Sequence, residues 1–115
     1  MRGMEVLPMK ISKELLKGST SIMILKIISE QDSYGYEITQ TLYQRSNNSF
    51  KLNEGTLYPI LHALEKEGYI ESYRKNSETG RERKYYRITT TGVVKLNSQI
   101  KEWETFSKAV DLVLK

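Results

Sequence analysis

The chain contains no cysteine, one histidine, one tryptophan and two prolines among its 115 residues. Without thiols there are no disulfides, no thiolate metal ligands and no cysteine nucleophile, and the lone His62 cannot build a histidine metal cluster. No cofactor is implied. Long apolar runs are missing as well: Ile22-Met23-Ile24-Leu25 is cut off by Lys26, far short of the ~18 residues that suggest a membrane span. Residues 1–9 hold no apolar stretch long enough for a secretory signal, so the expected location is the cytoplasm and no membrane partner is expected. Neither a G-x-S-x-G pattern nor a phosphate loop occurs, and the carboxylates fall mainly on helix faces that read as solvated. The residues point away from an enzyme.

What remains suits one compact domain. The hydrophobic set makes up 38%, with seven glycines beside it, just below the usual globular share of about 45–50%. The net charge is only +4, but it is unevenly placed. Residues 66–87 carry seven basic groups (Lys66, Arg74, Lys75, Arg81, Arg83, Lys84, Arg87) against four acidic ones, net +3, interleaved with Tyr69, Tyr73, Tyr85 and Tyr86. Cations release the counterions condensed on a phosphate backbone and tyrosine hydroxyls bond phosphate oxygens, so the segment has the composition of a phosphate-tracking surface. A solvated basic hairpin has the same composition, and charge alone does not choose between them.

Periodicity orders the elements. Residues 1–9, with Pro8 and no periodicity, read as a flexible arm. Apolar residues wrap most of a helix over Lys10–Glu30, with Gly18 a candidate kink. Asp32 or Ser33 is placed to cap a second helix whose Tyr34, Ile38 and Leu42 share one face, ending near Ser46-Asn47-Asn48-Ser49. Asn53 caps a third, in which Leu57, Ile60, Leu61 and Leu64 form a stripe before Gly68 stops it. Pro59 within it predicts a kink or a late start. Tyr69–Lys75, a turn over Asn76–Gly80 and Arg83–Thr89 predict a β-hairpin with Ile70, Tyr86 and Ile88 inward and Arg83, Tyr85 and Arg87 outward.

From Thr91 onward, Val93, Leu96, Ile100, Trp103, Ser107, Val110 and Leu114 alternate spacings of three and four, and only Ser107 is polar. This is a coiled-coil-like seam. About 24 helical residues run about 36 Å, more than a small domain covers, so part of the seam calls for a partner, most simply a second copy. Phe106 and Val113 widen the stripe beyond a strict seam and leave open that the helix packs only on its own domain.

Three short helices followed by a hairpin is the order of a winged helix-turn-helix, in which the helix before the hairpin enters the major groove. The expected fold is therefore mainly α with a small β-hairpin: a flexible arm over 1–9, a winged helix-turn-helix over 10–90 and a dimerisation helix over 91–115. The basic patch falls on the wing. A winged helix that binds only protein, through its apolar last helix, is the alternative to a DNA-binding regulator.

Four blocks in order, Tyr34-Gly35-Tyr36-Glu37-Ile38, Leu52-Asn53-Glu54-Gly55-Thr56-Leu57-Tyr58-Pro59-Ile60-Leu61, Leu64-Glu65-Lys66-Glu67-Gly68-Tyr69-Ile70-Glu71-Ser72 and Gly80-Arg81-Glu82-Arg83-Lys84-Tyr85-Tyr86-Arg87-Ile88-Thr89, resemble the PadR family of bacterial transcriptional regulators. The single long last helix looks like its short-tailed branch. The resemblance implies a dimeric repressor whose recognition helix spans Asn53–Lys66. Its outward positions are Thr56, Tyr58, Pro59, His62 and Lys66, for phosphates and base edges, and Pro59 suits a thymine methyl. Tyr34 is then expected in the core and Tyr36 on a phosphate, while Gly35 allows close approach of a neighbouring element. At the wing, phosphate grip falls to Arg81, Arg83 and Lys84, with Glu82 opposing them. The implied partners are a pseudo-palindromic duplex operator, a second copy through Val93, Leu96, Ile100, Trp103, Val110 and Leu114, and a small planar hydrophobic effector. Several relatives bind such compounds, and Trp103, mid-seam, either walls a site for one or simply packs the interface.

Overall fold

A computed structural model describes residues 11–16 and 18–115; the arm expected over 1–9 lies outside them. Where a single helix was expected over Lys10–Glu30, two are present, α1 (Lys13–Leu16) and α2 (Thr20–Glu30). Gly18 separates them with φ +85, a left-handed conformation that glycine adopts without steric penalty and that no helix continues through.

The second helix also starts later than its candidate caps suggest. Ser33 is drawn into the sheet instead, and Asp32 lies in the connection before it. Ser33–Tyr34 forms a two-residue strand β1, and α3 follows at Gly35–Arg45. Glu37 reaches back to accept from the Tyr34 N–H at 3.3 Å, which occupies one of the free donors at the helix start. The chain leaves α3 through Asn47 and Asn48, both at positive φ (55 and 66), where asparagine is better tolerated than most side chains.

Helix α4 (Glu54–Lys66) begins where the sequence predicts, with the Asn53 side chain accepting from the Thr56 N–H at 2.9 Å. Pro59 does not delay it. The proline removes one helical bond, to the Gly55 carbonyl, and Gly55 is solvent-exposed, so water is at hand to replace it. At the other end Gly68 (φ +83) closes the helix, its N–H donating to Glu65 and that of Tyr69 to Leu64, the paired pattern of a left-handed glycine cap.

Strands β2 (Ile70–Asn76) and β3 (Glu82–Ile88) pair antiparallel, with Tyr73 opposite Tyr85 and Ser72 opposite Tyr86. β1 adds to the far side of β3, giving the order β1-β3-β2. Thr89 then caps α5 (Thr90–Leu114), accepting from the Gly92 N–H and donating to the Gly68 carbonyl. A side chain at Gly92 would overlap the Tyr69 carbonyl oxygen, so glycine lets the long helix lie against the turn between α4 and β2.

The core is a single cluster: Ile24, Leu25 and Ile28 of α2, Ile38 and Leu42 of α3, Leu57, Leu61 and Leu64 of α4, with Ile70 and Tyr86 from the sheet. Leu96 belongs to it as well, at 4% exposure. This corrects its assignment to the dimer seam, because the first turns of α5 close the chain's own core. Ile100 packs beside it, while Val93, Trp103, Val110 and Leu114 are exposed.

Candidate nucleic-acid interface

With Leu57, Leu61 and Leu64 turned into the core, the opposite side of α4 presents Gly55, Pro59, His62, Ala63 and Lys66, all exposed. Its centre is small and nearly flat, so a groove floor can come close, and Pro59 and Ala63 offer apolar contact to a thymine methyl. Thr56 and Tyr58 flank this face. Gly55 and Ala63 were not singled out from the sequence, although they repeat at helical spacing with Pro59 and were legible on that ground.

Tyr58 is half-exposed, and its hydroxyl lies against the first residue of α3, where a Cβ on Gly35 would sit 2.9 Å from it. The close approach expected of Gly35 is therefore to Tyr58 itself. Tyr36, one residue on, is exposed. Tyr34 is only partly buried, packed edge-on against Tyr85 at 5.4 Å and covered by the Arg83 guanidinium at 4.6 Å.

The wing departs from the simple picture of a cationic outer face. Tyr85, expected outward, is buried, only 8% exposed. It stacks on Tyr73 with ring centroids 5.8 Å apart, meets Tyr34 edge-on, and carries the Lys75 ammonium 4.8 Å from its ring. Arg87 lies 4.8 Å over Tyr73 and pairs with Glu71 at 3.7 Å. Arg83 is half-buried: it rests on Tyr34, and its Nε is buried without a hydrogen-bond partner among the described residues. Burial pushes the Tyr85 and Tyr86 phenols up. The physical reason for the difference is β1, a strand of two residues with no periodicity to betray it, which brings Tyr34 over the hairpin and roofs its far face.

The exposed cations at the wing are Arg74, Lys75, Arg81, Lys84 and Arg87: Lys75 and Arg87 lie over Tyr85 and Tyr73, Lys84 lies 5.6 Å from the Tyr86 ring, and Arg74 is held 3.7 Å from Glu82 in a surface pair. Such exposed pairs contribute about 0–1 kcal/mol and open readily to a phosphate. Glu82 thus spends its charge on Arg74.

A concavity lies away from α4 and the wing, none of whose residues line it. An apolar groove of about 640 Å³ runs between α1, α2 and α5, with Leu15, Ile22, Met23, Phe50, Ile100 and Trp103 among its walls. Trp103 is 49% exposed, beside Phe106 at 5.9 Å. Beyond it Val110, Leu112, Val113 and Leu114 stand in solvent, Val113 at 83%. No group of three His, Asp or Glu side chains fit to hold a metal occurs among the described residues, and none of their helices is long and apolar enough to cross a membrane.

The profile of the PadR-like family of transcriptional regulators matches residues 24–98. A transcriptional regulator of Mycobacterium tuberculosis is 30% identical over 98 residues, 85% of this chain and 88% of that protein. Among solved structures, a transcriptional regulator from Clostridium thermocellum superposes with a TM-score of 0.82 at 37% identity, covering 91% of this chain and 99% of that one. A PadR-like regulator from Bacillus cereus gives 0.80 at 36% identity, covering 90% and 98%.

Proposed function

The chain belongs to the PadR-like family of transcriptional regulators, DNA-binding proteins rather than enzymes, and on that premise we propose that it is a homodimeric repressor of a pseudo-palindromic operator, released by a small planar hydrophobic molecule. The observation that carries the reading is the outer face of α4. It is small at its centre (Gly55, Pro59, Ala63), ends in a cation (Lys66), and stands beside a wing whose Arg81 and Lys84 are exposed. In this reading Thr56, Tyr58, Pro59 and His62 meet base edges and flanking phosphates in the major groove. Tyr36 at the start of α3 and Arg81 and Lys84 at the wing grip the backbone. Arg83, committed to Tyr34, supports the wing instead.

A symmetric pair of such units needs its two recognition helices about 34–36 Å apart. The exposed end of α5 supplies the means of pairing. Val93, Trp103, Val110 and Leu114 are apolar and open in one chain, with Ile100 at the groove's edge, and burying them against a second copy removes apolar surface from water. The groove at Trp103 lies within the ~300–1,000 Å³ of ligand pockets, and an indole wall favours a flat aromatic occupant. A ligand that prefers one spacing of the two units weakens operator binding by the ratio of its affinities for the two arrangements. Action on a bacterial chromosome goes with a cytoplasmic location.

Duplex binding measured between about 50 and 200 mM salt tests the reading, because neutralised phosphates give log K a steep linear dependence on log salt. A steep fall in affinity is expected. Binding that ignores salt, or no binding at all, favours the protein-binding adaptor. Titration of planar aromatic cations should quench Trp103 saturably, and Trp103→Ala should abolish that binding while leaving a dimer.

A further inference from the structure

The wing is a lever, and the structure shows what holds it. In the order β1-β3-β2, β3 pairs with β1, and β2 is an outer strand whose strand partner among the described residues is β3 alone. Two consecutive residues of β2 nevertheless tie it to the helical body, one from each face of the sheet. The Ser72 hydroxyl donates to the Glu65 carboxylate at 2.7 Å, a bond to the recognition helix α4. The Tyr73 hydroxyl donates to the Asp32 carboxylate at 2.6 Å, a bond to the connection between α2 and β1, 41 residues away in sequence. Neighbouring strand residues point to opposite faces, so the sheet is pinned from both sides at one level.

The second tie is reinforced by everything around it. Tyr73 stacks on Tyr85, Tyr85 meets Tyr34, and Arg87, Lys75 and Arg83 cover the three rings at 4.6 to 4.8 Å. Hydroxyl-to-carboxylate bonds of this length are charge-assisted and stronger than neutral ones. The Asp32 bond also holds the Tyr73 phenol above its ordinary range. None of these groups lies on the outer face of α4.

We infer that Asp32 and Tyr73 are positioning residues for operator binding: their bond, with Ser72 to Glu65 on the other face, fixes the angle between wing and recognition helix, and Arg83 serves this clamp rather than a phosphate. The inference rests on the DNA-binding reading for its consequence but not for its geometry. Loss of the bond frees β2 to swing, so Arg81 and Lys84 reach the backbone only in a fraction of conformers. Apparent affinity falls by that fraction, while the number of phosphates neutralised in the bound state stays the same.

The test uses the full chain with Tyr73→Phe, which keeps the ring and its stacking and removes only the hydroxyl, together with Asp32→Ala and Asp32→Asn. Hydrogen exchange of the free protein reads the clamp without DNA: amides of residues 70–76 and 82–88 should exchange several-fold faster in Tyr73→Phe, with those of α2 and α4 unchanged. Asp32→Asn, which retains an acceptor, should recover part of the protection that Asp32→Ala loses. Against duplex DNA, Tyr73→Phe should bind about 3- to 10-fold more weakly at every salt concentration with an unchanged salt slope. Lys84→Ala should instead reduce the slope by about one. Tyr73→Phe and Asp32→Ala combined should be no worse than either alone, since both remove one interaction. Unchanged exchange in the wing overturns the clamp outright. A slope reduced by about one in Tyr73→Phe, or additive losses, would show that Tyr73 contacts DNA itself. Should the unmodified chain fail to bind duplex DNA while Tyr73→Phe still loosens the wing, the regulator reading falls and the clamp stands.

Discussion

The half of this molecule around α4 and the wing and the end of its last helix are built on opposite terms. Around α4 and the wing almost every large apolar side chain is satisfied within the chain, from Leu57 and Leu61 in the core to Tyr85 beneath its cations. From Trp103 onward α5 leaves Phe106, Val110, Leu112, Val113 and Leu114 in water, with an apolar groove open beside Trp103. One region is complete as a single chain, and the other is complete only when something covers it. A protein that reads DNA with one half and pairs with the other would be divided in this way, because the reading surface must be preformed while the pairing surface must be left free.

The comparison breaks hardest at the helix end. Val110→Asp with Leu114→Asp places charges where the account buries apolar surface between two copies. Sedimentation should drop from about twice 13.4 kDa to 13.4 kDa, with the thermal transition of the winged domain kept, since neither residue packs on it. Operator affinity should fall by about 10²–10⁴, the usual gain from linking two binding units.

Within the complete half, Leu61→Ala should remove about 2–5 kcal/mol of stability, read by denaturant unfolding, because Leu61 is 1% exposed at the centre of the core. At the joint between the regions, Gly92→Ala drives a methyl into the Tyr69 carbonyl and should cost about 1–3 kcal/mol. It should also displace the start of α5 without changing any surface residue.

Smaller still are the wing's charges. Arg81→Ala with Lys84→Ala should flatten the salt slope by about two while preserving the dimer and the preference among sites, since phosphate contacts position without specifying. The smallest effect is alkaline. Because Asp32 raises the folded Tyr73 phenol above its unfolded value near 10, the clamp's stability is fully present below pH 10 and is lost as pH climbs through the folded value. Tyr73→Phe should lack that part of the alkaline loss.

The elements that sequence reading locates well are those with a repeating face and a strong end signal. α4 carries both, in its Leu57–Leu61–Leu64 stripe and its Asn53 and Gly68 ends, and its outward residues follow from the same repeat. The early part of α2 and the start of α3 were harder. Whether Gly18 bends a helix or breaks it depends on one φ, and Asp32 and Ser33 make good caps until a two-residue strand recruits Ser33 to the sheet and moves the helix start to Gly35. That strand also hid the clamp. Tyr73 and Asp32 stand 41 residues apart, and nothing local marks either as a partner. Period-two alternation places Arg83, Tyr85 and Arg87 on one face correctly, but whether that face is wet or roofed depends on Tyr34 arriving from elsewhere. Leu96 is the same kind of case, since a seam position and a core position look alike along a helix until its packing partners are known.

Selection of bound sequences from a random pool of duplex DNA tests the central claim most directly, because it requires both halves at once. The account predicts enrichment of a pseudo-palindrome whose half-sites lie about one helical turn, about 34–36 Å, apart, and loss of that symmetry when Val110 and Leu114 are changed to Asp. Enrichment of an asymmetric single half-site by the unmodified chain, or no enrichment at all, would contradict it.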